Sequence, residues 1–564
     1  MIDHRYREEL DKRAGAKAPS ITTPITDDPW EPIKPREPFS RSTEILVVGA
    51  GFAGMILGAQ LTQVGHSDFM IVDQAGDFGG TWYWNRYPGA QCDVESYIYY
   101  PLLEETGYVP SSRYPMAHET LDYCRHFGRH FSLYDRAVFH TGAIRAAWDD
   151  KNEEWVVETN RGDEIRARFL IRSNGAFGAP ALPQISGMDT FTGTAFHSSR
   201  WDYNYTGGSP ENPVLDKLVD KTVAVVGSGA SAVQIIPALV GQAKHVYAVQ
   251  RTPGPAVGER DTTPTDPEWF TAQPAGWQRE RILTYDLNTS GFLQPHDEVQ
   301  DNFTVHARRL LTADNPQDED AAIMGEIRDL IDAQVTDPAT ADALKPFYSR
   351  RCKRVTFDNG YYEAFNDESI TLIDAPSTGL SHIQGTTLHA GDRTFDADCI
   401  IFATGFDTTG NPLTRTGFDV RGRGDERLTD HYANGLQTLH GAMADGFPNH
   451  FQIGTGQNAL TANNTSGLTT QAEHILDIIA ETKRRGAITV EPTAEATETW
   501  ATTVRERGEG VRAAFETCVP GYYTGYEHGD GAYTNQLFPE GITVFRKLLD
   551  AWRAEGSYAG LRFS

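Results

Sequence analysis

The stretch Ile45-Leu-Val-Val48-Gly49-Ala-Gly51-Phe-Ala53-Gly54-Met55-Ile-Leu-Gly-Ala-Gln-Leu61 decides the fold. Four apolar residues read as a buried strand, three glycines follow at GxGxxG spacing, and an apolar helix runs on from Met55. A second strand, Phe69-Met-Ile-Val72, ends at Asp73 and completes a strand–helix–strand unit. Gly49 permits the tight turn, Gly51 lets backbone approach a pyrophosphate, and Gly54 lets the helix pack closely. Amides of the first helical turn, where Ala53 sits, face the anion. Asp73 stands where a carboxylate accepts ribose hydroxyls. The glycines also argue against a membrane span over residues 45–61, so no membrane anchor is expected.

A second unit begins at Thr222-Val-Ala-Val-Val226 and continues as Gly227-Ser228-Gly229-Ala230-Ser231-Ala232-Val233-Gln234, with a further strand over residues 245–249. The loop and first turn, Gly227 through Gln234, are expected along a second pyrophosphate. Here the acid is replaced by Gln250-Arg251-Thr252. A cation at that point suits a ribose 2′-phosphate, so the unit reads as an NADPH site. Two dinucleotide-binding units in one chain of 564 residues give an α/β fold of two Rossmann-like domains.

The acidic residues, 77 against 50 basic, leave a net charge of -27, which disfavours nucleic acid and anionic membranes as partners. Five cysteines, Cys92, Cys124, Cys352, Cys399 and Cys518, contain no CxxC pair. A disulfide framework, a metal cluster and a dithiol redox centre therefore lack support, and a reducing cytoplasm fits. No basic start with an apolar run marks a secretory signal.

Residues 1–40 read as an added arm: a charged helix candidate over Tyr6 to Ala14 ends at Gly15, and prolines at 19, 24, 29, 32, 35 and 38 oppose regular structure. Trp30 and Phe39 are candidates for pinning it to the body. Residues 256–348 read as a charged helical insert. A buried strand into Ala403-Thr404-Gly405-Phe406-Asp407 ends the second unit, and Phe169 to Gly175 is its degenerate counterpart in the first. The expected division is an arm at 1–40, an FAD domain at 41–180 and 401–564, an NADP domain at 181–255 and 349–400, and the insert at 256–348.

Two further motifs carry a resemblance. Phe191-Thr-Gly193-Thr-Ala-Phe-His197-Ser-Ser-Arg-Trp201-Asp202 fits FxGxxxHxxxW[PD] at every fixed position. Gly79-Gly80-Thr81-Trp82-Tyr-Trp-Asn-Arg-Tyr87-Pro-Gly89-Ala-Gln-Cys-Asp93 fits [AG]GxWxxxx[FY]P[GM]xxxD likewise. With both glycine loops, the chain resembles the type I Baeyer-Villiger monooxygenases from residue 44 to about 410. Glu516-Thr-Cys518-Val-Pro520-Gly521-Tyr522-Tyr523 and the arm resemble the subgroup with an N-terminal extension, that of the cyclopentadecanone and polycyclic ketone monooxygenases.

The resemblance implies FAD and NADPH as cofactors, dioxygen and a bulky cyclic ketone as substrates, and an ester or lactone as product, formed through a flavin peroxide. It places Gly80, Thr81, Trp82, Asp93 and Tyr99 around the flavin and Ala143 at the adenine end. Arg354, after Cys352-Lys353, is the implied catalytic residue, with Asp93 holding it and balancing its charge. A guanidinium is permanently charged and planar, which suits negative oxygens formed during ketone oxygenation. Lys353 and Arg251 would clamp the 2′-phosphate, and His197 would couple the two domains. The alternatives are a flavin-containing monooxygenase acting on nitrogen or sulfur, which has no need of Arg354; a flavin disulfide reductase, opposed by the lack of CxxC; and a non-enzymatic nucleotide-binding scaffold. A cytoplasmic monomer or weak homo-oligomer is expected.

Overall fold

A computed structural model describes residues 2–13, 20–22, 27–175, 177–376, 378–407, 417–454, 456–521, 523 and 537–564. Ala14, Gly15, Pro19, Pro24 and Tyr522 lie outside them. Two sheets organise the chain. The first is centred on Ser40–Val48, flanked in parallel by Phe69–Val72 and Glu164–Arg172, with Ala137–Val138 beyond Phe69–Val72. The C-terminal half of Glu164–Arg172 pairs in parallel with His450–Gln452, while its N-terminal half pairs antiparallel with Glu154–Thr159. Residues from both sides of the second glycine unit therefore build this one sheet.

The second sheet is wholly parallel, in the order Ile370–Asp374, His245–Gln250, Thr222–Val226, Cys399–Phe402, Thr194–His197. Its strands Thr222–Val226 and Cys399–Phe402 are almost entirely buried, as the unbroken apolar runs require of a sheet covered on both faces. The expectation of two dinucleotide folds holds.

The two glycine loops are built alike. Gly49 has φ +118° and Gly227 φ +130°. A Cβ on Gly49 would stand 2.6 Å from the Ser173 carbonyl oxygen, and one on Gly227 2.3 Å from that of Ala403. Only glycine allows both the backbone angle and this approach to the neighbouring strand. The helix Phe52–Gln63 that follows the first loop buries nine of its 12 residues and packs on the helix Asn464–Arg484. This explains why residues 45–61 look membrane-like: the helix is interior on nearly every side. No helix among the described residues is long and apolar enough to cross a membrane.

Between His245–Gln250 and Ile370–Asp374 lie the helices Pro267–Thr271, Trp277–Thr289, Asn302–Thr312, Pro316–Gln334 and Pro338–Leu344. Asp266, Asp301, Asn315 and Asp337 cap four of them through side-chain oxygens, and in three a proline occupies the first turn. The arm begins with a helix, Ile2–Arg13. Farther along, Asp28 accepts from the Tyr83 hydroxyl, and Trp30 lies under the Arg86 guanidinium at 4.8 Å. The arm is thus pinned to the body by Trp30. Phe39 hands its backbone amide to Asp163 at 3.0 Å, beside the Arg36–Asp163 ion pair.

Candidate functional site

Two clefts meet beside the glycine loops. One, of about 410 Å³, is lined by Gly49, Gly51, Ala53, Asp73, Gly80, Tyr99 and Ala143 among others. Asp73 is held there by two amides, Ala50 at 2.5 Å on Oδ2 and Ala75 at 2.7 Å on Oδ1. Burial raises its pKa while those two bonds oppose the shift. Tyr99 accepts from the Trp82 indole at 3.1 Å and packs on Phe52. Gly54, buried, lies behind the loop rather than in this lining.

The second cleft, about 470 Å³, is lined by Gly227 through Ser231, Arg251, Thr252, Lys353 and the turn from Ala403 to Asp407. Ala232, Val233 and Gln234, expected at the pyrophosphate, are not part of that lining. Ala232 and Val233 are core residues. Gln234 turns to the other unit, accepting from the Tyr87 hydroxyl at 2.8 Å and donating to the Gln91 carbonyl at 2.8 Å. A Cβ on Gly89 would meet the Gln234 carbonyl oxygen at 2.4 Å. The YPG segment therefore serves the contact between the two units, because a helix backbone lies directly against it.

Thr81, Trp82, Gln91, Phe177 and Arg354 line both clefts. Arg354 thus sits where the two meet, with its guanidinium over the Phe303 ring at 4.7 Å. Its Nε lies 3.8 Å from Asp93 Oδ2. The expected Asp93–Arg354 pair is present but long. The close partner of Asp93 is Arg260, at 2.6 Å on Oδ1, and this changes the charge balance assigned to Asp93. Arg260 lies in Gly258-Glu-Arg260-Asp261, a stretch with no periodicity or motif spacing to signal it.

Lys353 opens to the second cleft but is otherwise enclosed by protein. Burial first, then the charges of Arg251 and Arg13, lower its pKa to about 7. Arg13 comes from the arm: its Nε donates to the Arg251 carbonyl at 3.2 Å, and Glu9 pairs with its guanidinium. Nothing in the sequence of the arm indicated that it reaches the second glycine unit.

The fingerprint residues surround the junction without lining it. His197 ends the strand Thr194–His197; its Nδ1 accepts from the Ser199 amide, so Nε2 donates to the Gly405 carbonyl at 2.9 Å. Burial lowers its pKa to about 4, keeping the ring neutral. Trp201 is buried and donates to Thr206 at 3.0 Å, and Asp202 caps the helix Tyr203–Thr206. Phe191 packs against the buried cluster that holds Ile383, Leu388 and Phe395, and a Cβ on Gly193 would meet the Asp398 carbonyl oxygen at 2.3 Å.

The cysteine reading requires correction. Cys352 and Cys518 form a disulfide across 166 residues of sequence. Spacing gave no sign of it, because the fold alone brings the two residues together. The bridge ties the residue before Lys353-Arg354 to the segment whose Pro520 and Gly521 line the second cleft. Cys92, Cys124 and Cys399 are free.

Both clefts fit dinucleotides. In the first, Asn174 Oδ1 is buried without a hydrogen-bond partner among the described residues, an acceptor open to a ligand donor. In the second, a Cβ on Gly229 would meet no atom within 4 Å, leaving room beside the loop amides for a pyrophosphate.

The model of the pyridine nucleotide-disulphide oxidoreductase family matches residues 46–267, which hold both glycine loops. Baeyer-Villiger monooxygenase 4 of Dietzia sp. is 41% identical over 580 residues, covering 100% of this chain and 94% of that protein. The solved polycyclic ketone monooxygenase of the thermophilic fungus Thermothelomyces thermophila superposes with a TM-score of 0.91 at 33% identity, covering 100% of this chain and 98% of that one. The solved OTEMO complex with FAD and NADP reaches a TM-score of 0.78 at 26% identity, covering 93% and 99%. The chain belongs to the Baeyer-Villiger monooxygenases and is an enzyme that uses FAD and NADPH.

Proposed function

We propose that this monooxygenase acts on a bulky cyclic ketone, converting it to the ester or lactone, with Arg354 as its catalytic residue. The observation that carries the catalytic assignment is that Arg354 lines both clefts at their junction. When bound, reduced FAD activates dioxygen, with NADPH supplying the electrons. The residues of the chain do the rest. Arg354 offers a permanent positive charge to the ketone oxygen as it becomes negative, and bound cofactors filling the two clefts would exclude water and make that charge more effective. Asp93 limits the positions Arg354 adopts. Gly49, Gly51, Ala53, Asp73, Gly80, Thr81, Trp82, Tyr99 and Ala143 would hold FAD; Gly227 to Ser231, Arg251, Thr252 and Lys353 would hold NADPH.

The size of the substrate is supported by relatives named polycyclic ketone monooxygenase and neopentalenolactone D synthase. We further assign the FAD domain to 41–180 and 401–564, the NADP domain to 181–255 and 349–400, and the helical subdomain to 256–348. A cytoplasmic monomer or weak homo-oligomer completes the reading; supply of NADPH by cytoplasmic metabolism supports the location. A panel of monocyclic, macrocyclic and polycyclic ketones, with products identified by mass, tests the substrate class. Preference for small monocyclic ketones would overturn it.

A further inference from the structure

Asp28, in the arm, is 1% exposed at its side chain and holds partners on both oxygens. Its Oδ1 accepts from the Trp30 and Glu31 amides at 2.9 and 3.2 Å, which fixes the arm around it. Its Oδ2 accepts from the Tyr83 hydroxyl and lies 3.0 Å from His140 Nε2. A carboxylate only accepts, so Nε2 carries the proton and donates. Tyr83 belongs to the helix Thr81–Trp84, of which Thr81, Trp82 and Trp84 line the first cleft. His140 leads into Thr141, Gly142 and Ala143, which line it too.

The loop after Asp73 meets the same two groups. A Cβ on Gly76 would stand 2.5 Å from Tyr83 Oη and 2.7 Å from His140 Nε2. The His140 amide donates to the Ala75 carbonyl at 2.9 Å, and the Thr141 amide to that of Asp73 at 2.7 Å. His140 has φ +51°, a left-handed angle that a residue with a side chain keeps only where its surroundings hold it. The arm supplies a second hold: Arg36 Nη2 donates to Thr141 Oγ1 at 3.0 Å, while its Nη1 donates to Asp163 at 2.6 Å. Neither Asp28 nor Arg36 lines the cleft. We propose that Asp28 is a positioning residue for FAD and that, with Arg36, it makes the arm a clasp, bracing the walls of the first cleft from behind and slowing release of the cofactor. A dinucleotide enclosed by loops leaves only as they part, so braces that never touch it act on its off-rate. The inference rests on the proposed reading of this cleft as the FAD site. Simple anchoring of the arm makes a different prediction: it would change folding stability and leave retention of FAD by the folded protein as it was.

The test uses the FAD-loaded full chain as wild type, Asp28→Ala, Arg36→Met and Asp73→Ala. Flavin fluorescence after dilution into FAD-free buffer gives the rate of release. On heating it gives the temperature of release, while tryptophan fluorescence reports unfolding of the same sample. Asp28→Ala removes the bonds from Tyr83 and His140 to a charged acceptor and should release FAD about ten-fold faster. Arg36→Met removes the bond to Thr141 and should release it about three-fold faster. On heating, flavin should leave Asp28→Ala before unfolding begins, and added FAD should bring the two events together.

Release from Asp28→Ala at the wild-type rate overturns the inference, as does release that merely follows unfolding to a lower temperature. If Asp28→Ala does not fold, Arg36→Met carries the test, because that side chain is 28% exposed, and wild-type release from it overturns the inference. If Asp73→Ala holds FAD as firmly as wild type, the reading of the first cleft has failed instead. If only Asp73→Ala sheds FAD, that reading stands and the arm has no part in retention.

Discussion

His197 donates from Nε2 to the carbonyl of Gly405 at 2.9 Å, joining the end of the fingerprint strand to the turn that lines the coenzyme cleft. Replacing the ring by phenylalanine removes one of the two donors to that carbonyl, which also accepts from the Ala181 amide at 2.9 Å, a net loss of about 0.5–1.5 kcal/mol. His197→Phe should lower the denaturation midpoint and raise the KM for NADPH several-fold, while His197→Gln, which retains a donor, should lose less. Because burial holds the imidazole pKa at about 4, the wild-type rate profile should show no ionisation of this ring near neutral pH. Equal effects of the Phe and Gln variants would remove the hydrogen bond from the explanation.

Arg354→Ala should still bind FAD and accept electrons from NADPH, yet form ester about 10^2- to 10^3-fold more slowly, the usual loss on removing one stabilising charge. Oxygen would still be consumed, so hydrogen peroxide per NADPH should rise toward one. Stopped-flow reduction and peroxide assay separate the two stages; ketone conversion near the wild-type rate would refute the assignment.

The Lys353 ammonium supplies a pH dependence. Its pKa is lowered to about 7, by burial first and by Arg251 and Arg13 after it. Below that pH the amine is already protonated, the form that the proposed contact with the 2′-phosphate needs. Above it, binding must take up a proton, so NADP+ affinity should fall as pH rises, by up to about ten-fold per unit. Lys353→Arg keeps its charge throughout and should flatten this dependence. Titrations from about pH 6 to 9 check it, and parallel slopes in both proteins would exclude Lys353 as the source.

Arg251→Ala should weaken NADPH by about ten- to a hundred-fold, as expected for a charge-assisted hydrogen bond of about 1.5–3 kcal/mol, and leave NADH nearly unchanged. Steady-state constants for both coenzymes measure the ratio. A similar loss for NADH would mean that the residue supports the loop instead.

The bridge predicts a thiol count. Denatured, unreduced protein should titrate three free thiols and reduced protein five, since only Cys92, Cys124 and Cys399 are free. Cys518→Ser should loosen the Pro520–Gly521 segment and alter the KM for NADPH, whose proposed cleft that segment lines, more than that for bulky ketones. No change in either would make the bridge a stability element only.

Local patterns carried much of the fold. Strand, glycine loop and helix follow one another within about 25 residues in each unit, so hydrophobic period and turn chemistry sufficed for Gly49 and Gly227. The insert was legible as a charged stretch with amphipathic helical runs at 305–311 and 321–331. Long-range relationships were not. Arg260 meets Asp93 across 167 positions, Arg13 meets Arg251 across 238, and neither pair has a spacing that periodicity can register. Gln234 occupies a helical position expected to face the pyrophosphate, but its side chain meets Tyr87, a choice made by packing between units. Cys352 and Cys518 failed the local CxxC criterion because that criterion addresses metal and dithiol motifs, not a bridge closed by the fold.

That bridge also gives the polypeptide a history. Linking residues 166 apart restricts the unfolded chain by up to about 5 kcal/mol in the loop-entropy model, and the segment so closed contains the strands Ile370–Asp374, Cys399–Phe402 and His450–Gln452. A host with a reducing interior and one with an oxidising secretory route would therefore manufacture two covalently different catalysts from one gene. They would share a mass to within two hydrogens, yet a protease cutting anywhere between the paired cysteines would separate one into fragments and leave the other in a single piece.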